Sequence, residues 1–149
     1  MDYPPIESIR IDDSWSIAEG QHNGSALVTR FRPNLTSLAG HPGYPKRLEI
    51  TWSFRSLGNN RMPSPEEGKA MEVFENRLVP VVEKDNLAIL TAVVTNDGKR
   101  IWFFYVSNVS EFGKRLTNMP QEKERYPIAL SATTDANWDF YLDFLKSSK

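Results

Sequence analysis

The sequence predicts an α+β domain, and three observations carry that prediction. The stretch 87–106, LAILTAVVTNDGKRIWFFYV, holds two runs of β-branched and aromatic residues around an Asn-Asp-Gly-Lys turn, the pattern of a β-hairpin. Leu48, Ile50, Trp52 and Phe54 alternate with Glu49, Thr51, Ser53 and Arg55, the period of a strand with one face buried. Met71, Phe74, Leu78 and Val81 recur at helical spacing behind Ser64-Pro65-Glu66-Glu67. There the serine caps, the proline suits the first helical position and Glu67 closes a capping box.

The remaining elements follow in chain order. Residues 1–14 read as an extended arm whose Ile6, Ile9 and Ile11 dock on the body, and 15–149 as a single domain. Segments 15–19 and 26–32 form a hairpin around Gly20-Gln21-His22-Asn23-Gly24-Ser25, followed by a proline- and glycine-bearing loop over 33–45. Pro80 removes a helical hydrogen bond and clashes with the preceding turn, which predicts a kink or an early stop near Val79. Beyond the 87–106 hairpin come a short helix over 110–116, a strand over 126–133 and a terminal helix over 137–145 capped by Asp135.

From Arg47 onward the order is strand, helix, strand, strand, helix, strand, with one helix appended. That is the split β-α-β order of ferredoxin-like folds, with a mainly antiparallel sheet. The N-terminal hairpin extends the sheet, and the 100–106 strand takes a central place beside 48–55. A central place explains why both faces of 101–106 are apolar. Helices cover one face, and the other needs a loop, the arm or a second chain.

A length of 149 residues suits one hydrophobic core, and 40% apolar with 25% charged residues decides against disorder. The 18 basic and 19 acidic residues are spread along the chain for a net charge of -1, so neither a nucleic acid nor an anionic membrane is an expected partner. With no cysteine, disulfide scaffolds, thiolate metal sites and cysteine nucleophiles are excluded, in keeping with a reducing cytoplasm. Residues 1–14 carry prolines and acids and no apolar run of signal-peptide length, so a cytoplasmic location is expected. The Asn-x-Ser/Thr triplets at Asn23, Asn34 and Asn108 then carry no glycosylation meaning.

Candidate chemistry is sparse. His22 lies in a turn and His41 between Gly40 and Pro42, and neither has a serine or carboxylate at a telling spacing. Asp12-Asp13, Glu66-Glu67 and Asp135 have sufficient readings as a turn, a helix start and a cap. Nucleotide loops, His-Glu-x-x-His and Gly-x-Ser-x-Gly are absent, so no catalytic residue, metal ligand or cofactor is assigned. Trp102 to Tyr105 lack the glycine and basic surroundings of an RNA-stacking strand and read as core.

Two surfaces remain. On the terminal helix, Trp138, Tyr141, Leu142 and Leu145 form one stripe while Phe140 and Phe144 lie on another side, an apolar arc broader than one sheet contact needs. Phe140 and Phe144 are therefore the candidate partner-binding residues, unless the arm or the N-terminal hairpin wraps them. The 33–45 loop, with His41 and Tyr44, set against Trp102 of the aromatic sheet, is the candidate ligand pocket.

The chain resembles a bacterial family, domain of unknown function 695. The resemblance runs from Trp15 to Leu145 and rests on the opening tryptophan with Gly20 and Asn23-Gly24, the 26–32 and 48–54 strands and the acidic helix start. It rests also on TNDGKRIWFFY over 95–105 and DANWDFY over 135–141, where Ala136 stands in a place that is often proline in the family. The resemblance implies no activity, substrate or catalytic residue. The expected function is a non-enzymatic protein-interaction or regulatory module of inhibitor or immunity type, with another protein as partner. The alternatives are a small-ligand binder or enzyme at the 33–45 pocket, and a homodimer through the open sheet face.

Overall fold

The computed structural model describes residues 3–22, 24–55, 61–121 and 125–147. They form an α+β structure with a six-stranded antiparallel sheet and three helices. In chain order the elements are β1 (Ser16–His22), β2 (Ser25–Phe31), β3 (Lys46–Ser53), α1 (Pro65–Glu83), β4 (Ala88–Asn96), β5 (Lys99–Val106), α2 (Val109–Asn118), β6 (Ile128–Thr134) and α3 (Asp139–Ser147). The sheet order is β1-β2-β4-β5-β3-β6, so β5 lies inside the sheet beside β3 and the N-terminal hairpin extends it past β4.

Alternation along β5 assigns the two faces. Trp102, Phe104 and Val106 point to α1 and α2, where they join Leu48, Ile50, Trp52, Met71, Phe74, Leu78 and Phe112 in the larger core. Phe103 and Tyr105 point the other way. That second face is covered by the chain itself: Trp138 and Tyr141 of the α3 segment, Leu35, Leu38 and Tyr44 of the 33–45 loop, and Ile9 of the arm are all buried against it. Trp138 stacks on Tyr105 with ring centroids 4.1 Å apart and planes 6° from parallel. Ile6 and Ile11 pack beside Ile9, so the arm docks through its three isoleucines.

Several boundaries differ from the sequence reading for identifiable reasons. The first hairpin pairs as far as His22 with Ser25, so the expected turn is shorter; Gly24 supplies φ +82°, and residue 23 lies outside the described residues. In the β4–β5 hairpin, Asp97 at φ +47° and Gly98 at φ +83° form the two-residue turn that the sequence predicts. Helix α2 begins at Val109, one residue earlier than expected, because Asn108 caps it, accepting from the Glu111 N–H at 2.9 Å. Helix α3 begins at Asp139 rather than 137, since Trp138 sits at φ +61°, outside helical geometry.

Helix α1 does not stop at Val79 but continues through Pro80 to Glu83. Leu78 and Val82 are buried on either side of the proline, and Glu83 is ion-paired to Arg32, so tertiary contacts hold the last turn. Pro80 has no N–H to offer the Asn76 carbonyl and is itself exposed. Pro80→Ala is therefore expected to raise the unfolding free energy by about 1–3 kcal/mol. Denaturant titration with an unchanged slope checks this, and a loss of stability would mean that the ring contributes packing a methyl cannot replace.

Candidate binding surface

His41 and Tyr44 meet on the α3 side of the sheet, with ring centroids 5.3 Å apart. His41 is only 5% exposed, and both ring nitrogens are engaged: Nε2 donates to the Pro4 carbonyl at 2.7 Å and Nδ1 accepts from the Gly43 N–H at 2.8 Å. Tyr44 is fully buried and donates to the Asn86 carbonyl at 2.6 Å. Burial and the Glu83 charge push its hydroxyl up to about 12, so it stays a donor at neutral pH. Trp102 lies on the opposite face of the sheet, fully buried, with its Nε1–H on Glu75 at 2.8 Å. The three residues of the expected ligand pocket therefore do not line one cavity: the 33–45 loop packs on the face that odd-numbered β5 residues supply, and residue 102 points away from it.

Phe140 and Phe144 are half-buried against their own sheet. Phe140 stacks on Phe103 at 4.6 Å, and Phe144 meets Phe31 edge-on at 5.5 Å. The guanidinium of Arg47 lies 4.6 Å from the centre of the Phe140 ring.

Two charged clusters turn out to hold the fold together. Arg32, 4% exposed at the end of β2, donates to Glu83 at 2.6 Å, to Asp13 at 2.8 Å and to the Leu90 carbonyl at 2.9 Å. Burial opposes its charge, but Glu83 and Asp13 outweigh that and raise its affinity for the proton. The Trp15 ring lies 4.8 Å from the Arg32 guanidinium, and Arg30 beside it pairs with Glu75 at 2.5 Å. This clasp ties arm, sheet and α1 around a cleft of about 300 Å³. In the second cluster, Asp135 accepts from the Tyr105 hydroxyl at 2.6 Å, the Arg47 guanidinium at 2.9 Å and the Asp139 N–H at 2.9 Å. Burial acts to raise the Asp135 carboxyl, and the Tyr105, Arg47 and backbone hydrogen bonds overcome it and hold the group below its ordinary value.

The surface left open lies at the hairpin end of the second face. Helix α3 covers Phe31 and Phe103, and Thr29 near Phe144 is buried as well, but farther along the strands Leu27, Val94 and Ile101 share that face and are only half-buried among the described residues. Two shallow hollows meet there at Leu27. One, of about 460 Å³, runs over Val94 and Ile101 to Asn96 and Lys99; the other, of about 320 Å³, runs over Ala18 and Gly20 to Phe144. Their floor is largely apolar and their rim carries Glu19, His22, Asp97 and Lys99, with Asp97 paired to Arg61. Asn96 is fixed in place by donation to the Ala26 carbonyl at 2.8 Å. Such a shallow apolar floor with a rim of both signs suits a protein surface better than a small polar substrate.

Among the described residues, no group of three His, Cys, Asp or Glu side chains is placed to hold a metal ion, and no helix is long and apolar enough to cross a membrane. The family of unknown function DUF695 matches residues 13–146, nearly the whole chain. The chain belongs to this family. No curated protein and no solved structure matches it.

The DUF695 match begins at Asp13, the residue that joins Arg32 and Trp15 in the clasp. In this DUF695 chain the clasp was not visible as a site from the sequence, although strand parity does place Val28, Arg30 and Arg32 on one side of β2. Opposite Arg30 in the register stands Val93, a member of the α1-side core, so that side is the one where α1 supplies Glu75 and Glu83. The floor around Leu27 carries no sequence signal either, because it is assembled from β1, β2, β4, β5 and α3, which are far apart in the chain.

Proposed function

We propose that this protein is a non-enzymatic interaction module of regulatory type, acting as an inhibitor or immunity protein, which binds another protein through the uncovered end of its second sheet face. The observation that carries the reading is the pair of hollows meeting at Leu27, where Val94, Ile101, Ala18 and Phe144 form an apolar floor that, among the described residues, no further element covers. Phe144 belongs to this floor; Phe140, stacked on Phe103 under Arg47, supports it from behind. The shifted groups support the same reading, since Arg32 is engaged with Glu83, Asp13 and the Leu90 carbonyl, and Tyr105 with Asp135, so each has structural work to do.

The order β4-β5-β3-β6, with α1 and α2 on one face, supports a ferredoxin-like core carrying an added hairpin and an added helix. The cysteine-free composition supports a cytoplasmic site of action.

Affinity capture from the native host tests the function. The wild-type chain is expected to retain one partner in stoichiometric amount. Leu27→Asp, which places a charge where the two hollows meet, is expected to lose that partner by at least tenfold while circular dichroism stays unchanged. Recovery of chaperones alone, or equal capture by the variant, would overturn the proposal.

A further inference from the structure

The two edges of the sheet are unlike. Strand β1 carries Glu19 and Gly20 and ends at His22, whereas β6, Ile-Ala-Leu-Ser-Ala-Thr-Thr, has no charge, no proline and no glycine over its seven residues. Its pairing with β3 runs from Thr134 to Ile128 without a bulge, and every residue after Ile128 is exposed, Leu130 at 45%. Natural sheets protect an edge by shortness, charge, proline or bulges, and β6 uses none of these.

The backbone groups that face outward can be assigned. Asp135 N–H donates to the Pro45 carbonyl at 2.9 Å, and Ser53 N–H to the Pro127 carbonyl at 3.4 Å, so residues 127 and 135 turn their polar groups toward β3. Alternation then turns 129, 131 and 133 inward and 128, 130, 132 and 134 outward. Ile128 N–H is already given to the Tyr126 carbonyl at 2.9 Å. Leu130, Ala132 and Thr134 therefore present both N–H and C=O at the edge, and Ile128 presents its carbonyl.

We infer that this edge pairs antiparallel with the same edge of a second copy of the chain, about a two-fold axis through Ser131. The register is self-consistent: Leu130 and Ala132 of the partner, both outward-facing, exchange hydrogen bonds, and Thr134 N–H reaches the partner's Ile128, whose free group is the matching carbonyl. Side chains match as well. Each Leu130 lies opposite an alanine and diagonal to the other Leu130 on the α1 side, while Ala129, Ser131 and Thr133 leave a smooth, uncharged strip on the other. An unrelated extended segment would find the same backbone groups but not this self-matching set of large and small residues.

Light scattering on the full chain is expected to read twice the 17.0 kDa of one copy, and Leu130→Lys, which sets two like charges across the axis, to halve that mass with an unchanged circular dichroism spectrum. Because the chain has no cysteine, Ser131→Cys offers a second, independent readout. A non-hydrogen-bonded antiparallel pair holds its Cα atoms about 4.5 Å apart, within disulfide reach. Mild oxidation is expected to convert Ser131→Cys to a covalent dimer, and to leave Ile17→Cys, 67% exposed on the other edge, uncrosslinked. A single-copy mass for the wild type, equal cross-linking of the two cysteine variants, or a dimer that survives Leu130→Lys would each overturn the inference.

Discussion

Arg32→Ala is expected to lower the unfolding free energy by about 3–5 kcal/mol, the range found when one partner of a buried ion pair is removed. The side chain is 4% exposed and Glu83 beneath it is also well shielded, so the lost guanidinium strands a carboxylate against the sheet. Among the described residues, the Leu90 N–H, at 3.0 Å, is the donor that remains to serve it. Asp13 and the Trp15 ring lose their anchor at the same time, which loosens the arm. Chemical denaturation measures the cost. The pair of substitutions Arg32→Met and Glu83→Leu separates charge from packing, because an apolar pair of similar volume removes the stranded carboxylate along with its partner. Most of the loss should return in that double variant; if it is as unstable as Arg32→Ala, the carboxylate was not the source of the cost.

Asp135→Ala is expected to cost about 3 kcal/mol, since one carboxylate serves as the α3 cap, the Arg47 partner and the acceptor for the Tyr105 hydroxyl. Its carboxyl is held below the ordinary value of 3.8 in the folded chain, which means that the unfolded chain binds its proton more tightly. The contribution is therefore complete above about pH 4 and is withdrawn as the pH falls through the lower, folded value. In thermal melts from pH 7 down to pH 3, the gap between wild type and Asp135→Asn should be constant at the upper end and close at the acid end. A gap that widens on acidification would contradict the assignment.

How much of this was legible in the residues follows from what each signal depends on. The β4–β5 hairpin, the alternation of β3 and the Ser64 cap of α1 rest on neighbours within a few positions and appear where local chemistry places them, whereas Glu67, expected to close a capping box, instead accepts from the Trp52 indole. The extra breadth of the apolar arc on α3 was also legible. Its use was not, because Trp138 at φ +61° turns the chain just before the helix and sets which side meets Tyr105. Arg32 sits beside Pro33 at a strand end, where a charged residue is ordinarily solvated, and its burial depends on Glu83 of a helix turn 51 positions away. His41, Tyr44 and Trp102 looked like one site because a loop's face cannot be read from its own residues; the packing of Leu35 and Leu38 decides it.

The two hydrogen bonds of Tyr141 join parts of the chain that are made far apart in time. Its hydroxyl donates to the Arg32 carbonyl and accepts from the Leu35 N–H, contacts that span 109 and 106 positions of the chain. While the protein is being made, the sheet can be complete through β6 before residue 141 clears the ribosome, yet Phe103, Tyr105 and the 33–45 loop still lack their cover. A nascent chain at that stage carries a formed sheet with one bare aromatic side, the kind of species that chaperones engage. Stall positions that expose the chain through Thr134 while Trp138 is still in the exit tunnel should hold a protease-sensitive chain, and those that expose all of α3 a resistant one.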